Sequence, residues 1–228
     1  MSYIFDNLNQ IENRVSTACD LSQRSRSEVL LIAVSKTKPV ELLSEAYQYG
    51  IRDFGENRVQ ELTEKAQTMP LDIRWHMIGH LQKNKVKQAV RYAYLIHSVD
   101  SYELALTISN EAVKQDKSVA ILLEVNMAGE ESKFGYTPAQ ITEDVIRIAS
   151  LPNIHIKGLM TIAPYTETPE SNRIYFQQMK QLSVDIRNKN IDNVSMDILS
   201  MGMSGDFEIA IEEGATMVRV GTSIFGER

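Results

Sequence analysis

Eight short apolar runs alternate with amphipathic segments along this chain, and that rhythm restricts the fold more than any other feature. The runs fall at residues 29–34, 53–54, 73–78, 95–97, 119–125, 154–159, 197–200 and 217–220. Between them lie helix-spaced segments at 40–49, 57–68, 83–90, 101–112, 137–149, 169–187 and 204–213, and one short turn follows Gly221. Apolar runs of four to eight residues read as strands buried on both faces, and their strict alternation with helices argues a parallel sheet with helices outside. Eight such units predict a closed (β/α)8 barrel, an α/β fold in which residues 1–228 form a single domain; an open doubly wound sheet is the alternative. A further helix over 3–19, with Ile4, Leu8, Ile11, Val15 and Ala18 on one face, precedes the first strand. Ser101 and Thr137 stand where N-caps belong, with Pro138 at the first helical position.

The formal net charge of -6 argues against nucleic acid as a partner, since phosphate backbones select basic surfaces. One cysteine, Cys19, allows no internal disulfide and suits a reducing compartment. No basic, then apolar leader opens the chain and no apolar stretch is long enough for a membrane span, so the expectation is a cytoplasmic protein.

In a barrel the chemistry belongs at the C-terminal ends of the strands, and phosphate often binds at the loops after strands seven and eight. The first run closes on Lys36, a lysine at the mouth. After strand seven the chain reads LSMGMSG (199–205), and after strand eight RVGTSIFG (219–226), two neighbouring loops of glycine and hydroxyl residues. Strand eight adjoins strand one in a closed barrel, so Arg219 is expected beside Lys36, where like-charge repulsion would favour the neutral, nucleophilic amine. A lysine amine beside a phosphate cup is what pyridoxal 5′-phosphate needs, with Arg219 facing the pyridine nitrogen. The duller readings are a plain salt bridge from Arg219 to Glu124 or Asp197, and Ser204 as an ordinary N-cap.

Seven blocks, in order, resemble the pyridoxal phosphate homeostasis protein family: AVSKT (33–37), FGEN (54–57), HMIGHLQKNK (76–85), SKFG (132–135), GLM (158–160), LSMGMS (199–204) and VRVGTSIFG (218–226). The resemblance implies a barrel of the alanine-racemase N-terminal type, a fold-type III arrangement, with pyridoxal phosphate held on Lys36 as an imine. It implies that Ser200 and the backbone of Gly221 and Thr222 hold the phosphate, that Met201 and Gly202 line the phosphate side, and that Asn57 lies near the ring. The sequence ends at Arg228, directly after the last loop, so the second β-domain and tyrosine acid/base of racemases are not expected. Lys36 can serve one face of a carbanion, with Tyr136 and Tyr165 as open candidates for the other. The expected role is intracellular binding and carriage of pyridoxal phosphate, and of other B6 vitamers, by a monomer that exchanges it with apo-enzymes. The alternatives are a weak amino-acid racemase and a binder of another phosphorylated metabolite.

His76 and His80, four apart, carry no completing cysteine or carboxylate cluster, so no metal is expected. They and His97 read as structural histidines or rim residues. Lys83, Lys85 and Lys87 read as a solvated helix face, or as a spot where free cofactor docks.

Overall fold

The computed structural model describes residues 2–227; Met1 and Arg228, the last residue of the sequence, lie outside the described residues. Eight parallel strands close into one barrel in chain order: β1 (Leu30–Val34), β2 (Asp53–Glu56), β3 (Arg74–Met77), β4 (Leu95–Val99), β5 (Val119–Glu124), β6 (Ile154–Met160), β7 (Val194–Met203) and β8 (Met217–Val220). Closure is made by β1 against β8, with Leu30 opposite Met217 and Ile32 opposite Arg219. The helices are α1 (Tyr3–Leu21), α2 (Val40–Tyr49), α3 (Val59–Thr68), α4 (Val86–Tyr92), α5 (Tyr102–Lys114), α6 (Pro138–Ala149), α7 (Arg173–Arg187), α8 (Phe207–Glu212) and α9 (Thr222–Phe225). The barrel is therefore of the triosephosphate-isomerase type, with one helix preceding its first strand. No helix among the described residues is long and apolar enough to cross a membrane.

The strands are apolar on both sides because each side is buried. Alternate residues point outward under the helices: Leu31 and Ala33 on β1, Ile121 and Leu123 on β5, Val218 and Val220 on β8. Their neighbours Ile32, Leu95, Leu122, Met160 and Met217 form a separate apolar cluster inside the barrel. Helix α1 buries Ile4, Leu8, Ile11 and Val15 and packs on α2, α8 and α9. Full burial of each such side chain is worth roughly 1.5–3 kcal/mol. The expected caps are present: Ser101 Oγ accepts from Leu104 N, and Thr137 forms a capping box with Gln140 ahead of Pro138.

The differences from the sequence expectations are local. Helix α3 starts at Val59, not at Asn57, and residues 83–85 form a 3-10 turn before α4. Strand β7 begins at Val194 and runs on to Met203 through register shifts. Helix α8 consequently begins at Phe207, and Ser204 is not its N-cap; Asp206 occupies that position.

Candidate functional site

Inward-facing residues repeat every second position along a strand, so the last one of each column arrives at the mouth. On β1 the column is Leu30, Ile32, Val34, and the same alternation carries Lys36 to the rim, two residues past the end of the strand. Its backbone is fixed from below. Ser35 is fully buried, donating from N to Gly55 O (3.0 Å) and from Oγ to Glu56 Oε1 (2.6 Å). Lys65 Nζ reaches up from α3 to Ser35 O (2.8 Å) and Glu56 Oε1 (2.7 Å). Thr37, next in the chain, sits at φ 62, a left-handed conformation costly for a β-branched residue. It is held there by donation from its N–H to Glu61 Oε2 (2.7 Å). Lys38 Nζ then donates to the carbonyls of Gly226 (3.0 Å) and Glu227 (2.7 Å).

A cavity of about 390 Å³ opens at the mouth and is lined by Lys36, Asn57, Arg219, Gly221 and Thr222, five of the eight residues expected from the sequence. Asn57 reaches it because Gly79 lets the chain after β3 pass against it: a Cβ on Gly79 would stand 2.4 Å from Asn57 O. The far wall is Met203, Ser204 and Gly205, and Ser204 Oγ accepts from Gly221 N (3.2 Å), joining the β7 and β8 loops. Helix α9 starts at Thr222, so its first N–H groups have no acceptor within the helix.

Ser200, Met201 and Gly202 do not line this cavity. The strand continues three residues past Ser200, so the loop at the mouth is Met203–Ser204–Gly205 instead. Met201 is fully buried in the outer core. Gly202 (φ +89) is backed by α8, where a Cβ would stand 2.6 Å from Ala210 Cβ. Ser200 is buried within the barrel, bonded to Arg219 Nη1 (2.6 Å) and His97 Nδ1 (2.9 Å).

Arg219 is likewise lower than expected. It pairs with Ile32, four residues before Lys36, and reaches the cavity from its floor. It is 4% exposed, and Nη2 donates to Thr161 O (2.8 Å). Neither Glu124 nor Asp197 forms an ion pair with it; Asp197 faces Arg187 on the outside. Burial pushes the Arg219 guanidinium down to about 10, while Asp206 and Glu124 pull it up, so it stays protonated at neutral pH.

From Arg219 a polar chain crosses the barrel interior, where bulky apolar residues are usual. Ser200 meets His97, His97 Nε2 meets His76 Nδ1 (2.9 Å), and His76 Nε2 meets Asp53 Oδ1 (3.0 Å). Arg74 closes the far end, with Nε donating to Asp53 Oδ1 (2.8 Å). Burial acts to raise the Asp53 carboxyl, but the hydrogen bonds from His76 and Arg74 outweigh it and hold the group below its ordinary range. Burial lowers both histidines, His97 well below its ordinary value, and so keeps them neutral. One polarity follows from these capacities. Asp53 only accepts, so His76 donates from Nε2 and accepts at Nδ1. His97 then donates from Nε2 and accepts at Nδ1 from the Ser200 hydroxyl, which accepts from Arg219. Residue-type reasoning identified these histidines as structural, and their partners depend on the curvature of the sheet.

The remaining candidates lie apart from the cavity. The Tyr136 ring is buried and Tyr165 is 94% exposed. His80 stands at the rim, 3.1 Å from Asp100 and stacked on Phe134. No group of three metal-ligating side chains occurs among the described residues. Lys83 and Lys87 are exposed on the surface.

Residues 7–228 match the alanine racemase N-terminal domain family. A pyridoxal phosphate homeostasis protein of Aquifex aeolicus is 44% identical over 98% of this chain and 97% of its own length. The structure of PipY from Synechococcus elongatus with PLP bound superposes with a TM-score of 0.84 at 36% identity, covering 98% of this chain and all of the other. The alanine racemase of Clostridium difficile shares the fold at 15% identity and a TM-score of 0.77, and this chain covers 57% of it.

Proposed function

The chain belongs to the pyridoxal phosphate homeostasis protein family, and on that footing we propose that it binds pyridoxal 5′-phosphate on Lys36 and carries it for other proteins. One observation carries the reading: a single cavity joins the Lys36 amine, the Arg219 guanidinium and the Ser204–Gly205 and Gly221–Thr222 loops. Its volume of about 390 Å³ lies within the range of roughly 300–1,000 Å³ usual for small-molecule sites. The donor set fits the cofactor in kind, an amine for an aldehyde, hydroxyls and unpaired N–H groups for a monoester, and a cation for a ring nitrogen.

When bound, the cofactor supplies an aldehyde that condenses with amines and a ring that accepts electron density. Lys36 provides the amine. Ser204, Gly205 and Thr222 take the phosphate with hydroxyls and backbone N–H groups, and Gly221, whose N–H is donated to Ser204 Oγ, holds the two loops together around it. Arg219 keeps its own proton and donates a hydrogen bond toward the ring nitrogen, its plane fixed by Ser200 and Thr161. Asn57 borders the ring. A nitrogen facing a permanent cation is not protonated, which weakens the electron sink and suits holding over turnover. The protein acts in the cytoplasm as a monomer, takes other B6 vitamers that share the ring and phosphate, and exchanges its load with apo-enzymes.

The test is spectroscopic. Purified protein mixed with pyridoxal phosphate should develop a visible imine band, and borohydride should fix the mass of the cofactor on Lys36. The reading fails if no band forms, or if the band survives Lys36→Ala.

A further inference from the structure

Asn57, Ile78 and Ile162 wall the Lys36 cavity on one side, and on their other side they line a second cavity of about 220 Å³. Into it faces Glu124, the last residue of β5 and the top of the inward column Ala120–Leu122–Glu124. Strand β5 stands four strands from β1 in the ring, so Glu124 and Lys36 approach the mouth from opposite sides.

Glu124 is 7% exposed, yet its carboxyl makes no hydrogen bond or ion pair within 4 Å with any described residue. A buried carboxyl without a donor is costly. The charged groups around it are otherwise engaged. Asp100 pairs with His80, Lys133 pairs with Glu130 (2.7 Å) and donates to Ala163 O, and Arg219 is committed to Ser200 and Thr161. The other walls include the apolar side chains of Ile78, Phe134 and Ile162. The polar side chains that share the cavity, Asn57, His80, Asn126 and Ser132, make no hydrogen bond to Glu124, so its carboxyl is open to an incoming N–H donor on a small apolar body.

We propose that this side cavity is an amine subsite, in which the Glu124 carboxyl binds the ammonium group of a small primary amine or amino acid. The adjoining position deepens the cofactor reading and rests on it: a primary amine is the class of molecule whose nitrogen would replace that of Lys36 on the cofactor's aldehyde carbon, Lys36 leaving as the free amine. Burial, reinforced by Asp100, pushes the Glu124 carboxyl up to about 7 against the pull of Arg219. An ammonium docked there would oppose that shift and hold the carboxyl ionised as its partner.

The experiment is calorimetric titration of the full chain, with and without pyridoxal phosphate, using propylamine and L- and D-alanine as probes and propionate as the control lacking an ammonium. Saturable binding of at least one amine probe is expected. It should weaken at least tenfold in Glu124→Gln, and propionate should not compete. Ser132→Trp, at the lip of the cavity, should also abolish binding while leaving Glu124 in place. Cofactor uptake, by absorbance, and thermal midpoints are measured in parallel. The subsite is refuted if no amine binds, or if Glu124→Gln binds amines as tightly as the parent. Cofactor uptake with no Glu124-dependent amine binding sinks the subsite alone. Amine binding through Glu124 with no cofactor uptake sinks the carrier reading and leaves the subsite standing.

Discussion

Arg219 and Asp53 stand at the two ends of one hydrogen-bonded chain, which passes through Ser200, His97 and His76 across the barrel interior. Every member donates toward Asp53, so the cation below the mouth and the anion near the opposite end are coupled through neutral groups. Ser200→Ala leaves Arg219 Nη1 and His97 Nδ1 without partners. A loss of about 1–3 kcal/mol is expected in urea unfolding, the usual cost of stranding a buried polar group, and cofactor affinity should fall with it. A neutral result would mean that Ser200 is not the link.

The same chain sets the acid limb of stability. His76 and His97 have folded-state values below that of an unfolded histidine, about 6.5, so the unfolded chain binds more protons once the pH drops beneath that point. Asp53, also lowered, contributes stability above its unfolded value near 3.9 and loses it as the pH falls through its folded value. The part of the stability carried by this chain should therefore decline from pH 6.5 downward, by up to about 1.4 kcal/mol per unit for each histidine, and then further below pH 4. Measured in Glu124→Gln, which removes the opposing titration of that carboxyl, denaturant midpoints that stay flat between pH 7 and 5 would contradict the neutral assignment.

Glu124 acts with the opposite sign. Its folded value of about 7 lies above the ordinary 4.5, so the folded state binds the extra proton and loses stability as the pH rises between the two. Glu124→Gln should be more stable than the parent at pH 8, by on the order of 3 kcal/mol, with the gap closing toward pH 5. Thermal scans across that range read this directly.

Lys65 and Glu56 form a buried pair under Lys36, their side chains 8% and 0% exposed. Lys65→Met strands the Glu56 carboxyl and releases the Ser35 carbonyl, at a cost of about 3–5 kcal/mol. Adding Glu56→Gln should recover much of that stability without restoring the Lys36 loop. Unfolding and cofactor titration should then separate in the double variant.

Gly79→Ala would drive a methyl group against the Asn57 backbone and push Asn57 out of the cavity wall. Cofactor affinity should weaken by about tenfold or more, equivalent to about 1.4 kcal/mol, in an absorbance titration. Unchanged affinity would remove Asn57 from the binding residues.

The barrel was legible because strand and helix periods are local properties, and so were the caps at Ser101 and Thr137. Lys36 was legible because a lysine after an inward-facing column has only the mouth to reach. Ser204 could not be separated from Ser200, since the end of β7 depends on register shifts against β8 that no local pattern records. The partners of His97 come from β3 and β7, and their meeting is a matter of ring curvature. Glu124 entered the sequence reading only as a partner for Arg219; its isolation is a property of the assembled mouth.

Lys38 ties the stretch carrying Lys36 to the carbonyls of the turn after α9, so one side chain bridges two walls built from opposite ends of the sequence. Neither wall can open by itself without breaking that tie. Amide protons of the β1–α2 loop and of the β8–α9 loop should therefore exchange with solvent as one cooperative unit. On the binding role proposed above, release of pyridoxal phosphate should track that common opening rate, and Lys38→Met should speed both.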